Sequence, residues 1–501
     1  MRAVLTPVEM AAADAATIAG GVPEAELVER AGGAVARAAR RLLGGTYGRR
    51  VVVVAGKGNN GADGQVAAQA LDGWGARVDV LRLVEGIDPD RLSRSLGRAD
   101  LAIDAMFGTG FRGPLTGEAA SVATALDRAL LPVLAVDVPS GVDGTTGAVG
   151  GPAVAATVTL CLAALKPGLL FYPGAAYAGE VEVADIGVRL PGPSIWVAEE
   201  EDVAAWLPPR PFESHKWSVG AVYVVGGSEG MVGAPMLSAR AALRAGAGLV
   251  VAGLPGKAAA RASGGEVITR SLPATPGGAL DESGSKEVLD GLGRFGALVV
   301  GPGLGARKPT MAAVRRLVSD APVPLVLDAD GLNALAGDLH PLLARSAPPG
   351  PGGVPQSATV LTPHAGEYER LSGEAVGDDR LTAARHLAAR SRCIVVLKGA
   401  RTVVAAPNGQ TAINLTGGPW LATAGTGDVL SGMVAALLAR GMAPFEAAAA
   451  AVHLHGRAGD TAGHAGLVAG DLIDALPRVL APGPRGPGVP RLEMSGRWPQ
   501  A

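Results

Sequence analysis

The chain has 501 residues, of which 48% are hydrophobic and 3% aromatic, and its formal net charge is −2. This length predicts roughly two to four domains, each with enough apolar residues for its own core. The near-neutral charge and the scarcity of aromatic rings exclude a general nucleic-acid partner and an anionic membrane surface.

The two cysteines, Cys161 and Cys393, are far apart and fit neither a metal-binding nor a Cys-x-x-Cys spacing. Two small, buried, reduced thiols are typical of a cytoplasmic protein. The N-terminus lacks the charged-then-apolar pattern of a signal peptide. No uninterrupted apolar run is long enough to span a bilayer. We therefore expect a cytoplasmic protein that does not bind membranes.

The first half begins with residues 1–45, whose apolar spacing predicts helices. Residues 51–55 are a β-branched run bounded by glycine, as expected of a buried parallel strand. A glycine-rich loop at 56–64 follows this strand, and a helical pattern follows the loop. The order strand, glycine loop, helix is typical of a Rossmann-like unit.

Gly56, Gly58 and Gly61 satisfy the G-x-G-x-x-G spacing, so a dinucleotide-dependent dehydrogenase has to be considered. The same turn also carries Asn59, Asn60 and Asp63. An acid has little use in a pyrophosphate clamp, whereas a site for hydroxyls, amides or a cation can use all three side chains. The composition of the loop therefore favours a different ligand.

Two further predicted strands, at 101–104 and 133–138, carry an acid at their ends, Asp104 and Asp137, and Ser140 follows the second. In an open parallel sheet, ligands bind beyond the carboxyl ends of the strands. Amide, carboxylate and hydroxyl oxygens are hard ligands, which suit an alkali or alkaline-earth cation better than zinc.

The motifs at 58–64, 104–110 and 137–141 resemble those of the NAD(P)H-hydrate epimerase family, also called the YjeF N-terminal family. The likeness runs from about residue 1 to about residue 188. It implies that Asp137 is the acid or base that inverts the hydrated ring carbon. It also implies a potassium ion held by Asn60, Asp104 and Ser140. The implied substrate contacts are Asn59, Asn60, Gly61, Ala62, Asp63, Gly108, Thr109, Gly110, Phe111, Arg112, Gly113, Pro114 and Asp137.

Two positions near these motifs carry separate expectations. Ala62 stands where the family usually has glycine, and its methyl group is acceptable unless the position needs a positive φ. Lys166 precedes a Pro-Gly turn and is expected to be exposed, although it could reach a phosphate.

Residues 189–214 are rich in proline and acidic residues, as expected of a linker with about one helical turn. We place the domain boundary near Leu207. The predicted organisation is a first domain at 1–207, a second domain at 208–485 and a disordered tail at 486–501.

Beyond the linker, short apolar strands at 221–225, 298–300, 325–327 and 394–397 each lead into a polar or glycine-rich loop. This repetition again predicts a parallel sheet with one functional edge.

The most informative stretch is 423–428, which leads into apolar residues at helical spacing. Its glycines lie at a helix N-terminus, where unpaired backbone amides and the helix dipole favour a phosphate. A carboxylate beside a phosphate is repelled, so Asp428 needs a task there, such as accepting a proton from an attacking hydroxyl. The alternative is an acidic residue in the first turn of an ordinary helix.

The motifs at 301–305, 362–367 and 424–428 resemble the ADP/ATP-dependent NAD(P)H-hydrate dehydratase family, which has a ribokinase-like fold. The likeness runs from about residue 212 to about residue 480. It implies a magnesium ion that accompanies ADP or ATP. The implied hydrate site consists of Ala234, Gly303, His364 and Asp428, and the implied nucleotide site of Lys398, Gly399, Ala400, Arg401, Thr402 and Gly427.

The sequence therefore predicts a two-domain α/β protein, with a Rossmann-like three-layer sandwich before a ribokinase-like domain. The expected function is repair of hydrated NADH and NADPH (NADHX and NADPHX). The first domain would interconvert their R and S forms, and the second would dehydrate the S form at the expense of ADP or ATP. A homo-oligomer is expected.

Three alternatives stay open at this point. A ribokinase-like small-molecule kinase with a non-catalytic first domain would release a stable phosphorylated product. A scaffold protein would leave Asn60, Asp104 and Asp137 without a task. The dehydrogenase indicated by the G-x-G-x-x-G spacing is the third.

Overall fold

The computed structural model describes residues 1–262, 265–345, 358–463 and 465–480. The tail predicted at 486–501 lies outside the described residues. Up to the end of the predicted linker helix, the chain forms eight strands and seven helices among these residues. They are β1 (Arg2–Val4), α1 (Pro7–Ala19), α2 (Glu24–Leu43), β2 (Arg50–Ala55), α3 (Asn59–Gly73), β3 (Arg77–Arg82), α4 (Pro89–Leu96), β4 (Leu101–Ala105), α5 (Gly117–Arg128), β5 (Val133–Val136), β6 (Val158–Leu162), α6 (Gly174–Tyr177), β7 (Glu180–Ala184), β8 (Ile195–Val197) and α7 (Glu200–Trp206).

The remainder of the chain alternates again between short strands and helices. Its elements are β9 (Ala221–Val225), α8 (Gly233–Arg244), β10 (Leu249–Pro255), α9 (Ala258–Arg261), β11 (Ile268–Leu272), α10 (Glu282–Gly291), β12 (Ala297–Val300), α11 (Lys308–Asp320), β13 (Leu325–Leu327), α12 (Asp330–Asn333), α13 (His340–Ala344), β14 (Thr359–Leu361), α14 (Ala365–Ser372), α15 (Arg380–Ser391), β15 (Ile394–Leu397), β16 (Val403–Ala405), β17 (Thr411–Ile413), α16 (Thr426–Ala439), α17 (Pro444–Ala462) and α18 (Ala469–Val479).

The first sheet has six parallel strands in the order β3-β2-β4-β5-β6-β7. Separate apolar clusters cover its two faces, because its central strands are buried on both sides. The predicted Rossmann-like arrangement of this part is therefore confirmed. Ala62 lies within the helix α3 and not among the residues with a positive φ, so its methyl group fits without strain.

The second sheet has eleven strands in the order β1-β8-β17-β16-β15-β14-β13-β12-β9-β10-β11. The strands from β9 to β15 pair in parallel, whereas β16 pairs antiparallel with both of its neighbours. The buried helices α16 and α17 pack on one face of this sheet. The predicted second α/β unit is thus confirmed. None of the helices in the described ranges is both long and apolar enough to cross a membrane.

The expectation that residues 1–45 are entirely helical is wrong at the N-terminus. Arg2–Val4 forms β1, which pairs antiparallel with β8, and β8 pairs in parallel with β17. Both strands are only three residues long. Their pairing partners are distant in sequence, so local periodicity does not reveal them.

A glycine is required where α16 packs against α8. A Cβ atom at Gly432 would lie 1.9 Å from the Ser238 carbonyl oxygen. We expect Gly432→Ala to destabilise the protein by roughly 1–3 kcal/mol through overpacking, despite the higher helix propensity of alanine. Calorimetric melting temperatures test this. Gly470→Ala on α18 is the matched control, because nothing lies within 4 Å of its Cβ position. Equal melting temperatures for the two variants would contradict the packing argument.

Candidate active sites

The first site lies where β5 and β6 end, and both strands end in a strained turn. Asp137 has φ 67° and Ala163 has φ 62°. Around Asp137, the Val138 amide donates to the Val136 carbonyl at 2.8 Å, which closes a three-residue γ-turn. A non-glycine residue keeps this conformation only where its surroundings hold it. The turn directs the Asp137 carboxylate towards the end of β6.

Asp137 forms an ion pair with a lysine that is completely buried. The Lys166 ammonium lies 2.5 Å from Asp137 Oδ1 and donates to the Leu162 carbonyl at 2.6 Å. The Leu162 amide donates to the same Asp137 oxygen at 3.0 Å. Burial opposes the charge on Lys166, but the charge and hydrogen bond of Asp137, together with those of Cys161, outweigh burial and raise the pKa of the lysine. The expectation that Lys166 is exposed is therefore wrong, because the paired ammonium is stable in the interior.

Two more carboxyl groups face this ion pair. Burial raises the pKa of Asp63 to about 8, and the negative charges of Asp137 and Asp14 add to the effect. Burial also raises the pKa of Asp14, although Lys166 opposes it. At neutral pH, Asp63 consequently holds a proton beside the charged Asp137–Lys166 pair.

Asp104 lies at the same edge and is fully buried. Its carboxylate accepts hydrogen bonds from the Ser140 amide at 2.8 Å, the Ser140 hydroxyl at 2.7 Å and the Met106 amide at 3.2 Å. Burial nevertheless raises the pKa of Asp104 to about 6. The side-chain amide of Asn60 has a buried nitrogen with no hydrogen-bond partner among the described residues.

A cavity of about 560 Å³ opens beside Asn60, Asp63, Asp137 and Lys166, whereas Asp104 and Ser140 do not line it. Its volume suits a ligand the size of a nucleotide. Four residues of the expected set, Gly61, Ala62, Gly113 and Pro114, do not line it. The expected residues that do line it are Asn59, Asn60, Asp63, Gly108, Thr109, Gly110, Phe111, Arg112 and Asp137.

Asp14 and Lys166 line the same cavity, and the sequence analysis assigned neither to the site. Asp14 lies on α1, far from the glycine loop in sequence, and nothing local distinguishes it. The sequence does contain a feature that indicates Lys166. This residue follows the buried strand β6, at the sheet edge that also carries Asp137.

The second site lies at the N-terminus of α16, where the sequence predicted an anion cradle. Gly425 precedes the helix with φ 91° and provides no side-chain cap, so the first-turn amides lack a side-chain acceptor. Thr426 fixes the turn through its hydroxyl, which donates to the carbonyls of Leu421 and Thr423 at 2.9 Å. His455 Nε2 contacts the Thr426 carbonyl at 2.9 Å, and burial lowers the pKa of this histidine to about 4. The helix start is thus rigid, and His455 is neutral.

A second lysine lies in front of this helix. The Lys398 ammonium is 2.9 Å from Asp328 Oδ1 and 3.7 Å from Glu367 Oε2. A Cβ at Gly427 would lie 3.4 Å from the same ammonium, so the lysine borders the first turn of α16. Burial and the charge of Asp328 raise the pKa of Asp428 to about 7, although Lys398 opposes them. Asp428 therefore titrates near neutrality, as a general base should.

The other expected hydrate-site residues are arranged around this edge. Gly303 has φ 69°, and a Cβ there would lie 3.5 Å from the Ala234 Cβ, so this loop touches the first turn of α8. His364 caps α14: its Nδ1 accepts from the Gly366 amide at 3.0 Å, and its own amide donates to Glu367 Oε2 at 2.8 Å. Its remaining nitrogen, Nε2, lies 3.5 Å from Glu367 Oε1.

The expected nucleotide-binding residues 399–402 form the connection between β15 and β16. The Arg401 side chain is engaged elsewhere. Its Nε donates to the Leu170 carbonyl at 3.2 Å, another of its nitrogens donates to the Leu415 carbonyl at 2.8 Å, and it lies over the Tyr172 ring. The Arg401 side chain is thus occupied, whereas the backbone of residues 399–402 and the side chains of Thr402 and Lys398 stay candidates for contacts to a nucleotide. Asp328, which pairs with Lys398, was not assigned to the site from the sequence.

The raised pKa of Asp63 makes a prediction about stability. The unfolded carboxyl loses its proton near pH 4, whereas the folded one keeps it up to about pH 8. The wild type therefore loses stability as pH rises between these values. We expect Asp63→Asn to have the same melting temperature as the wild type near pH 4. Towards pH 8 its melting temperature should exceed the wild-type value by a growing margin.

Asp100→Asn is the control with the opposite sign. Hydrogen bonds from the Arg50 amide, and then from the Arg49 side chain, lower the pKa of Asp100. The ionised Asp100 carboxylate stabilises the fold above the pKa that the group has in the unfolded state, and this stabilisation is lost in acid. The Asp100→Asn variant should therefore be less stable than the wild type at neutral pH. A pH-independent difference for Asp63→Asn would contradict the proposed protonation.

Comparisons with known proteins agree with this division into two sites. A family described as NAD(P)H-hydrate dehydratase matches residues 222–478, and one described as YjeF-related protein N-terminus matches residues 24–90 and 82–168. A solved structure, the ADP/ATP-dependent NAD(P)H-hydrate dehydratase of Bacillus subtilis co-crystallised with ATP and Mg²⁺, is 33% identical. The match covers 56% of this chain and 96% of that one, with a TM-score of 0.46.

Two curated relatives match along most of their length. The bifunctional NAD(P)H-hydrate repair enzyme of Moorella thermoacetica is 41% identical, over 92% of this chain and 93% of the relative. The enzyme of the same name from Mycobacterium tuberculosis H37Rv is 40% identical, over 87% and 89%. The resemblance inferred from the motifs is thereby confirmed: the chain belongs to the family of bifunctional NAD(P)H-hydrate repair enzymes, which join an epimerase to an ADP/ATP-dependent dehydratase.

Proposed function

We propose that the cavity around Asp137 interconverts the R and S forms of NADHX and NADPHX, and that the site around Asp428 dehydrates the S form. The observation that carries this proposal is shared by both sites. In each, a lysine that is fully buried (Lys166) or partly buried (Lys398) pairs with one aspartate, while another aspartate has a pKa raised to about 8 or about 7. Neighbouring carboxyl groups in such different electrostatic environments are typical of acid–base catalysis.

In the first site, Asp137 takes the proton from the hydroxyl of the hydrated ring carbon and so acts as the base. Lys166 keeps this carboxylate charged and fixed in place. Asp63 holds a proton at neutral pH and faces the same cavity, so it is the candidate acid. Inversion of the ring carbon requires its bond to the ring nitrogen to break as the hydroxyl becomes a carbonyl, and then to form again on the other face of that carbonyl. Asp63 gives a proton to the released nitrogen while Asp137 holds the hydroxyl proton, and both protons return as the ring closes.

In the second site, the chemical difficulty is that hydroxide is a poor leaving group. Transfer of a phosphoryl group from ADP or ATP to the ring hydroxyl turns it into a good one. Asp428 accepts the hydroxyl proton, while Lys398 and the first-turn amides of α16 stabilise the charge on the transferring phosphate. Departure of phosphate, together with loss of a proton from the neighbouring ring carbon, then restores the double bond of the dihydropyridine ring.

The donor set of the second site suits a magnesium ion that arrives with the nucleotide. Within the described ranges, no cluster of three acidic, histidine or cysteine side chains is arranged to hold a metal by itself. Magnesium commonly uses one or two carboxylates together with substrate phosphates. Asp328 and Glu367 are the buried candidates beside Lys398. When bound, the ion would neutralise charge on the phosphates.

The first site suits a potassium ion held by Asn60, Asp104 and Ser140. The buried amide nitrogen of Asn60 has no partner among the described residues, and rotation of the amide would place its oxygen there as an acceptor. An adjoining cation would satisfy that oxygen and also favour the ionised form of buried Asp104. Potassium would act by holding these groups in place.

Two properties of the whole chain belong to the same proposal. Both cysteines are free and buried, which supports a reducing cytoplasm as the compartment. The domain limits at 1–207 and 208–485 and assembly into a homo-oligomer stay predictions.

The assay for the dehydratase step supplies an epimer mixture of NADHX with ADP and magnesium and follows recovery of the dihydropyridine absorbance. Loss of the base in Asp428→Asn should reduce the rate by about 10²–10⁴-fold. Because Asp428 has to be ionised to accept a proton, wild-type kcat/KM should rise with pH through about 7 and then level off. Accumulation of a stable phosphorylated product instead of free phosphate would contradict the proposal and favour a small-molecule kinase.

The epimerase step is tested with Asp137→Ala in the same assay. Recovery should proceed at the wild-type rate and then stop when the S form is consumed. Adding purified S form should restart it, which confirms that the second site is intact. Complete recovery from the epimer mixture, under conditions where spontaneous epimerisation is slow, would exclude Asp137 from the reaction.

A further inference from the structure

A second cavity of about 800 Å³ lies against the linker helix α7 and the helices α17 and α18, away from both sites described above. It is separated from Asp428 by the length of α16. That helix begins at Thr426 beside Lys398 and ends at Ala439, and its 14 residues span about 21 Å. Arg440, immediately after the helix, lines the cavity. This cavity therefore cannot be an extension of the dehydratase site.

The cavity carries an excess of positive charge. Its lining includes four arginines but only two acidic residues, Glu200 and Glu201. One of these acids is already used, because Arg457 contacts Glu200 at 2.6 Å. The other three arginines, for which we use the name arginine cluster, are Arg210, Arg244 and Arg440.

No member of the arginine cluster forms an ion pair within the described part of the chain. Arg440 donates to the Pro208 carbonyl at 2.6 Å. Burial, and then the positive charge of Arg210, lower the pKa of Arg440, so these two like charges are close together. Arg210 and Arg244 are exposed. An anion between these guanidinium groups would remove their repulsion and could be held by two parallel N–H···O bonds.

The interior of the cavity supplies a second, independent sign of a ligand. His453 on α17 lines it and is only 6% exposed. Burial lowers the pKa of His453, and a hydrogen-bonding contact with the Ala198 backbone opposes this effect. Neither ring nitrogen forms a hydrogen bond of good geometry among the described residues, so Ala198 engages one of them at most and the other is left for a ligand. The apolar side chains of Val203, Leu454 and Leu480 form the adjoining wall.

We propose that this cavity is a third binding site, which takes an organic phosphate with an apolar or aromatic body. The arginine cluster at the rim holds the phosphate, His453 provides a polar contact inside, and the apolar wall receives the body of the ligand. A cavity volume of about 800 Å³ accommodates a ligand as large as a nucleotide.

The test uses phenyl phosphate as the probe, with the full-length protein. Isothermal titration calorimetry compares the wild type with the double variant Arg210→Gln/Arg244→Gln and with Arg128→Gln. The two cluster arginines are exposed and outside both catalytic sites, so the double variant should keep both activities. Arg128 is an exposed arginine at the end of α5 and serves as the matched control. Benzyl alcohol tests whether the phosphate is required.

We expect saturable binding of phenyl phosphate that weakens by about tenfold or more in the double variant, with no change in Arg128→Gln and no saturable binding of benzyl alcohol. Modification by phenylglyoxal, followed by mass spectrometry, locates the site: phenyl phosphate should protect Arg210 and Arg244 but not Arg128. Equal affinity in all three proteins, absence of saturable binding, or absence of protection at Arg210 and Arg244 would each overturn the proposal, whatever the outcome of the two repair assays.

Discussion

An ion pair between a lysine and an aspartate is the constraint on which both candidate sites depend. Lys166 follows β6 and pairs with Asp137, and Lys398 follows β15 and pairs with Asp328. Each pair is stable because the two charges neutralise each other. Lys166 is fully buried, whereas Lys398 is partly exposed. Burial, and then the negative charge of the paired aspartate, raise the pKa of the next acid to about 8 for Asp63 and to about 7 for Asp428.

The parallel sheets explain why these groups meet. Every strand of the first sheet, and the run from β9 to β15 in the second, deliver their carboxyl ends to one edge, so side chains distant in sequence become neighbours. Each sheet has one further local feature at that edge that positions a functional group. In the first, the strained turn at Asp137 directs the carboxylate across to β6. In the second, Gly425 starts a long buried helix without a side-chain cap, which leaves first-turn amides for an anion.

The sequence predicted the fold and much of both sites because these features are local. Strand-then-loop patterns revealed the sheets, and the polar side chains of the loops marked their common edge. The errors concern groups whose role depends on a distant partner. Lys166 looks like an ordinary exposed lysine until β5 is placed beside β6, and its partner Asp137 is 29 positions away. For Arg401 the resemblance implies a contact to the nucleotide, but its side chain reaches Leu170 in the first half of the chain.

That contact belongs to a broader connection between the two halves. β8 joins the second sheet beside β17, and β1 extends the same sheet by one more strand. Arg385 strengthens the connection through a 2.8 Å hydrogen bond to the Ser194 hydroxyl. A division of the chain at 207 would take both strands away and leave the backbone of β17 unpaired along one edge. The two candidate sites are separate, but the sheet that carries the second is completed by residues that belong in sequence to the first half of the chain. Fusion of the two activities in one chain therefore has a structural basis.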